Sequence, residues 1–329
     1  MAGEGEFEYI ARRLAPLSAG FPGAFELKDD AAVIAPSAGC ELVVTTDTVV
    51  AGRHFPDDED PAIAARKALR VNLSDLAAMG ARPLAYLTSV VWPHDADRTL
   101  MDGFADGLEA ERAVWALPLI GGDTTSGPGP WTITITALGE CPAGRAVRRR
   151  GARAGDRLLV TGTIGDGRLG LESLGGEAAI ADPEDAAWLE DRYRLPQPRL
   201  AIVEALREHA HAAVDVSDGL IADVGHIAES SGVAAAIELN RVPLSGAARR
   251  WAEAQPDAGR ALARLASGGD DYELACAVAP ENVEGFARAC AEQGVDVTEI
   301  GRFREGDGGV TVTINGAPVD IEQAGFTHF

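Results

Sequence analysis

Carboxylates dominate the chemistry this sequence could perform. Asp29-Asp30, Asp47, Asp75, Asp123, Asp215 with Asp218, and Asp270-Asp271 fall at strand ends or loop starts, most of them beside glycine or another small residue. Any one of them could cap a helix or close a turn. As a set they form a collection of hard oxygen ligands. Asp75 is the least ordinary, because it follows Asn72 by three residues on the helix face that carries Val71 and Met79. An ionised carboxylate withdrawn from water needs a partner. Lys28 and Lys67 are the only lysines, so a metal is favoured over an ammonium. Several carboxylates without a His or Cys cluster point to Mg²⁺ or a similar hard ion rather than zinc.

Phosphate loops give less. Gly165-Asp166-Gly167-Arg168-Leu169-Gly170 matches G-x-G-x-x-G after the strand Leu158-Leu159-Val160-Thr161-Gly162, as a dinucleotide site requires. The acid that should end a second strand ~20 residues on falls in Asp182-Pro183-Glu184-Asp185, a helix start, which leaves a plain strand-to-helix turn as the alternative. No glycine precedes either lysine at P-loop spacing, and the H-R-D and D-F-G triplets of protein kinases are absent. Any phosphoryl transfer here would use metals in place of a P-loop lysine. His209 and His211 are expected on a helix facing different ways, and His226 as a cap or packing residue. His54, in Ala51-Gly52-Arg53-His54-Phe55, is either a functional group or a solvated turn histidine.

The elements that must position these residues alternate along the chain. Strands are expected over 41–50, 84–92, 117–120, 131–138, 157–161, 234–239, 272–278, 296–302 and 310–314. Helices are expected from Asp60-Pro61 to Gly80 and over 96–115, 198–209, 218–230 and 281–293. Strands next to strands, with helices grouped between them, indicate an α+β architecture. At 329 residues two domains are expected, divided within the basic segment 145–155 into residues 1–148 and 149–329. A net charge of −22 argues against nucleic acid as a partner. No apolar run is long enough to span a membrane, and the acidic start lacks signal-peptide character, so the cytoplasm is the expected location. Cys40, Cys141, Cys276 and Cys290 never pair as C-x-x-C and read as small buried residues.

The assembled motifs resemble the thiamine-monophosphate kinase family, in the superfamily of aminoimidazole ribonucleotide synthetase and selenophosphate synthetase. The resemblance spans nearly the whole chain. It rests above all on Asn72-Leu73-Ser74-Asp75-Leu76-Ala77-Ala78-Met79-Gly80-Ala81 and Ser267-Gly268-Gly269-Asp270-Asp271-Tyr272-Glu273-Leu274. Gly5-Glu6-Phe7, Asp29-Asp30, Thr45-Thr46-Asp47-Thr48, Gly121-Gly122-Asp123, Asp215-Val216-Ser217-Asp218-Gly219 and the terminal His328-Phe329 extend it. It implies the two-domain aminoimidazole ribonucleotide synthetase-like α+β fold. An N-terminal domain would bind ATP and metal and dimerise through its sheet, and an α/β-layered C-terminal domain would follow. Asp30, Thr45, Thr46, Asp47, Asp75, Asp123, Asp215 and Asp218 would hold several Mg²⁺ ions, the two threonines from a strand end. Gly122, Asp123, Arg149 and Ser217 would meet ATP, while His54, Asp270 and Phe326 would meet thiamine monophosphate. The implied reaction is direct in-line phosphoryl transfer from ATP to thiamine monophosphate by a homodimer, without a catalytic side chain.

Two other readings use the same residues. A related synthetase acting on a phosphorylated ribosyl amidine would keep the aspartates but need another acceptor pocket. A catalytically silent metal-binding scaffold would fit if Lys28, where the family usually has glycine before Asp-Asp, marked decay. That lysine would either crowd the ion held by Asp30 or turn to solvent.

Overall fold

The computed structural model describes residues 5–321 and 323–326; the terminal His328-Phe329 lies outside the described residues. The chain forms two compact units, the first comprising residues up to Leu76 and Ala81–Gly144, the second Ala77–Gly80 and Arg145 onward.

Unit 1 begins with α1 (Glu6–Tyr9) and short π and 3-10 turns reaching Leu27. Then come β1 (Cys40–Val50), α2 (Pro61–Ala78), β2 (Arg82–Pro93), α3 (Arg98–Trp115), β3 (Leu119–Gly127) and β4 (Thr132–Pro142). The strands lie in the order β1-β4-β2-β3, with β4 antiparallel to both neighbours and β2 parallel to β3. The Asp60 carboxylate starts α2 by accepting the Ala62 amide at 2.8 Å, with Pro61 at the position that needs no donor. Ala64, Ala68, Leu69 and Leu73 bury the helix, and Gly80 ends it in a left-handed conformation. Glu111 on α3 is fully buried and is neutralised by Arg66 and Arg70 of α2, while Trp115 donates to it at 2.6 Å. Phe55, Trp92, Phe104 and Trp131 form an edge-to-face and stacked cluster beside this joint. β3 is longer than the expected 117–120, because its parallel pairing with β2 carries the strand through the two glycines to Gly127.

Unit 2 contains β5 (Arg157–Thr161), α4 (Asp166–Leu174), α5 (Pro183–Arg194), α6 (Val203–His209), β6 (Ala210–Asp215), α7 (Leu220–Ser231) and β7 (Ala234–Glu238). It continues with α8 (Gly246–Glu253), α9 (Ala258–Ala266), β8 (Leu274–Val278), α10 (Val283–Ala291), β9 (Val297–Arg304), β10 (Val310–Ile314) and β11 (Ala317–Pro318). Its seven-stranded sheet runs β11-β10-β7-β9-β5-β8-β6, antiparallel except where β10 meets β7. Central strands are apolar on both faces. Leu158 and Val160, Ala212 and Val214, and Ala275 and Ala277 enter one core with α7. The alternate residues Leu159, Ala213, Cys276 and Val278 enter a second core with α6 and α10. The α+β expectation holds in both units. β6, α8 and α9 were not expected from the sequence: Ala210–Asp215 is alanine-rich, and its strand form comes from pairing with β8. His209 therefore ends α6 while His211 sits on β6, not on a common helix.

Among the described residues, no helix is long and apolar enough to cross a membrane.

Candidate functional site

In unit 1, β1 and α2 bring a threonine and two aspartates close. Side chains alternate along β1, so Thr45 and Asp47 share one face and Thr46 and Thr48 the other. The Thr45 hydroxyl donates to Asp75 at 2.5 Å, and the backbone amide of Asp47 donates to Asn72 Oδ1 at 3.0 Å. Asn72 is wholly buried and anchors its own amide on Ala68 O at 2.9 Å. One turn of α2 thus fixes both the strand bearing Asp47 and the hydroxyl beside Asp75. Thr46 faces the other way and shares a hydrogen bond with Thr136 at 3.1 Å. Both threonines lie in the middle of β1 rather than at its end, because pairing with β4 extends the strand to Val50.

Asp123 stands on β3, opposite Ser89 of β2, and is exposed. β1 and β3 are the two edges of the sheet, so three strand spacings, roughly 14 Å along the ladder, separate the rows bearing Asp47 and Asp123. Gly122 is required where it is, since a Cβ there would lie 1.9 Å from Thr88 O. Asp30 is exposed on the loop after Leu27, a loop seated on the sheet by Ala24, Leu27, Ala32 and Ile34. His54 lies in the turn after β1, where its Nδ1 accepts the Val50 amide at 3.1 Å. With Nδ1 accepting, the neutral ring carries its proton on Nε2.

Unit 2 gathers a second group. Past the end of β6, the strand edge continues as two crossing bonds: Val216 donates to Glu273 O and Tyr272 to Val216 O, both at 2.8 Å. Asp270 then donates its amide to Ser217 O at 2.9 Å, and Phe326 donates to Asp218 O at 2.9 Å. Ser217, Asp218, Asp270 and Phe326 are therefore brought together, with Asp215 buried at the root of the loop. Phe326 is 44% exposed.

Asp223, on the first turn of α7, accepts the Asp218 and Gly219 amides at 3.1 Å. Burial, and secondarily the Asp218 charge, push its carboxyl up to about 7, against the pull of those two amides and of Arg149. Ligand atoms of Asp218, Asp223 and His226 lie within 4.8 Å of one another. Asp223 and His226 were missed in the sequence because neither lies in a glycine-flanked loop; their spacing of three residues on a helix was the available signal.

Beside Asp270 lie two buried acids that sequence reasoning left without a role. Asp271 accepts the Gly165 and Gly167 amides at 2.8 and 3.0 Å. Burial drives its carboxyl well above the usual range, opposed by those two amides. Glu273 is enclosed by Thr161 at 2.7 Å, Arg192 at 3.0 Å and Arg199 at 2.5 Å.

Chemically, both groups present oxygen donors without thiolates. Such sets suit a small hard divalent ion and the phosphates it attracts.

Residues 28–141 match the family model for the N-terminal domain of AIR synthase related proteins, and residues 153–313 match that for the C-terminal domain. The thiamine-monophosphate kinase of Caulobacter vibrioides is 47% identical over 323 residues, 98% of this chain and 90% of that protein. The crystal structure of thiamine-monophosphate kinase from Stenotrophomonas maltophilia K279a superposes with a TM-score of 0.79 at 39% identity, covering 89% of this chain and 91% of that one. AaThiL complexed with AMPPCP and TMP superposes with a TM-score of 0.78 at 32% identity, covering 100% and 99%.

Proposed function

The chain belongs to the thiamine-monophosphate kinase family of AIR synthase related proteins, and on that premise we propose that it transfers the γ-phosphoryl group of ATP to thiamine monophosphate. The products are ADP and thiamine diphosphate, in the last step of thiamine diphosphate biosynthesis. The observation that carries this reading is the joining of Ser217, Asp218, Asp270 and Phe326 by backbone hydrogen bonds. It sets an acid and an exposed aromatic face, both suited to a cationic thiazolium, beside a serine and an acid suited to a metal-bound nucleotide.

The acceptor is already a phosphate oxygen, so no side chain need remove a proton from it. What the protein must overcome is repulsion between two polyanions, and what it must supply is alignment. The donor set fits magnesium: carboxylates and hydroxyls, with Thr45 and Asp75 already within bonding distance of each other. Asp30, Thr45, Thr46, Asp47, Asp75, Asp123, Asp215 and Asp218 are the residues that would hold several such ions, Thr46 not the same one as Thr45 and Asp75, since its hydroxyl faces the other side of β1. Bound magnesium would supply charge neutralisation across the donor and acceptor phosphates. Arg149 contributes a fork of donors to the nucleotide phosphates, alongside Gly122, Asp123 and Ser217. His54 meets the thiamine phosphate. Asp270 and Phe326 take the thiazolium.

Unit 1 is the proposed seat of a homodimer. Val43 and Val90 are buried within the chain's own unit, whereas Val44 is 58% exposed on the edge strand. A second copy would cover it and give the edges bearing Asp47 and Asp123 a partner to meet. The proposed location is the cytoplasm, with its ATP and magnesium.

The test is an assay of the purified chain with ATP, magnesium and thiamine monophosphate. Thiamine diphosphate and ADP should form in equal amounts and only with all three present; ATP hydrolysis without thiamine diphosphate would overturn the proposal. Sedimentation at micromolar concentration should give twice the 34.3 kDa chain mass.

A further inference from the structure

We infer that Asp271 is a positioning residue, whose buried carboxyl group fastens to the Gly165 and Gly167 amides and thereby presents Asp270 to the cationic ring of thiamine monophosphate. The inference rests on the function proposed above and adds to it a residue that does not touch the substrate.

Asp270 and Tyr272 both hold left-handed backbone conformations, with φ of 66° and 51°. Non-glycine residues stay there only when their surroundings over-determine them. Here two buried acids alternate with them. Asp271 is 2% exposed and uses both carboxyl oxygens, one on Gly165 and one on Gly167. Glu273 is 0% exposed and is held by Thr161, Arg192 and Arg199. The backbone on either side of Asp271 is tied down as well, Asp270 to Ser217 and Tyr272 to Val216. On the remaining side α4 closes in: a Cβ on Gly167 would lie 2.2 Å from Asp270 O, so only glycine lets the helix start approach that closely.

This arrangement explains the G-x-G-x-x-G run at Gly165. Its glycines open a helix whose first amides would, in a dinucleotide fold, receive a phosphate. In this protein those amides receive a carboxyl group from residue 271 of the same unit. The motif is a seat for the loop that bears Asp270.

Kinetics of the unsubstituted chain and of Asp271→Asn test the inference. The asparagine side chain keeps the size of the acid but has one acceptor oxygen, so one glycine amide loses its partner and the loop loses its register. The expected result is a KM for thiamine monophosphate raised by about tenfold or more, with the KM for ATP unchanged within about twofold. An unchanged KM for thiamine monophosphate, or parallel rises for both substrates, would overturn it. Hydrogen exchange on the unsubstituted chain provides a second measure that does not depend on the variant folding. Thiamine monophosphate should slow exchange in residues 268–273 and in residues 163–168 together; protection confined to 268–273 would also overturn it. If the unsubstituted chain neither binds nor phosphorylates thiamine monophosphate, the functional reading itself fails, which these outcomes separate from a failure of the role of Asp271.

Discussion

The Thr45 hydroxyl, on an edge strand, donates to the Asp75 carboxylate on α2 at 2.5 Å. The two residues come from different elements and are held in register by Asn72, one turn before Asp75, which accepts the Asp47 amide. A strand and a helix are thereby locked so that oxygen donors from both face one place.

Asp75→Asn should leave the fold intact and abolish turnover. The amide is isosteric and can still accept the Thr45 hydrogen bond, but it removes the charge that would hold magnesium. The rate is expected to fall by at least about a hundredfold, with a thermal melt close to that of the unsubstituted protein. Near-normal turnover at modest magnesium would remove Asp75 from the metal site.

Lys28 should prove neutral. It occupies an ordinary right-handed conformation with φ of −106°, so glycine is not needed there, and its ammonium pairs with Glu26 in solvent, both side chains about three-quarters exposed. Magnesium titrations of activity for the unsubstituted protein, Lys28→Gly and Lys28→Arg should superimpose. The strain lies just before it, where Phe25, Glu26 and Leu27 all have φ above 50°. Glu26→Gly should therefore stabilise the protein by about 1 kcal/mol in denaturant titrations, the loss of an exposed ion pair costing little. A destabilised Glu26→Gly would contradict this.

Asp223 should make stability fall with rising pH when magnesium is chelated. The folded protein holds the Asp223 proton up to about pH 7, whereas an exposed aspartate releases it near 3.8. Between those values the folded state binds more protons than the unfolded state, so the stabilisation is complete below about pH 4 and is lost as pH climbs to 7. In Asp223→Asn this slope should vanish while the oxygen still accepts the Asp218 and Gly219 amides. The variant should then melt higher than the unsubstituted protein at pH 8. Parallel melting curves from pH 4 to 8 would show that burial does not raise this group.

Thiol reactivity should separate Cys40 from the other three cysteines. Cys141, Cys276 and Cys290 are buried, and burial pushes the Cys290 thiol up to about 12 and the Cys276 thiol higher still. Thiolate is the reactive form, so a mild disulfide reagent should modify one thiol per native chain, at partly exposed Cys40, and all four after denaturation. Rapid modification of more than one would mean that the cores open.

The sequence by itself determined the class of the fold, most of its elements, and the candidates for its chemistry. Period-two alternation and the Asp60-Pro61 start are local signals, and aspartates beside glycine declare themselves without a structure. What only the tertiary structure decided was which residues meet. β6 has little intrinsic strand preference and exists because β8 supplies its partner. Thr45 and Thr46 are neighbours in sequence yet face opposite ways, since pairing with β4 continues past them and imposes the pleat. The glycine run at Gly165 matches a phosphate loop only in its letters and reads as a plain strand-to-helix turn; the folded chain alone places Asp271 against its amides. The reason is common to all three: a hydrogen-bonding group takes the partner that the fold leaves within reach, and that partner lies far along the chain, outside any local pattern.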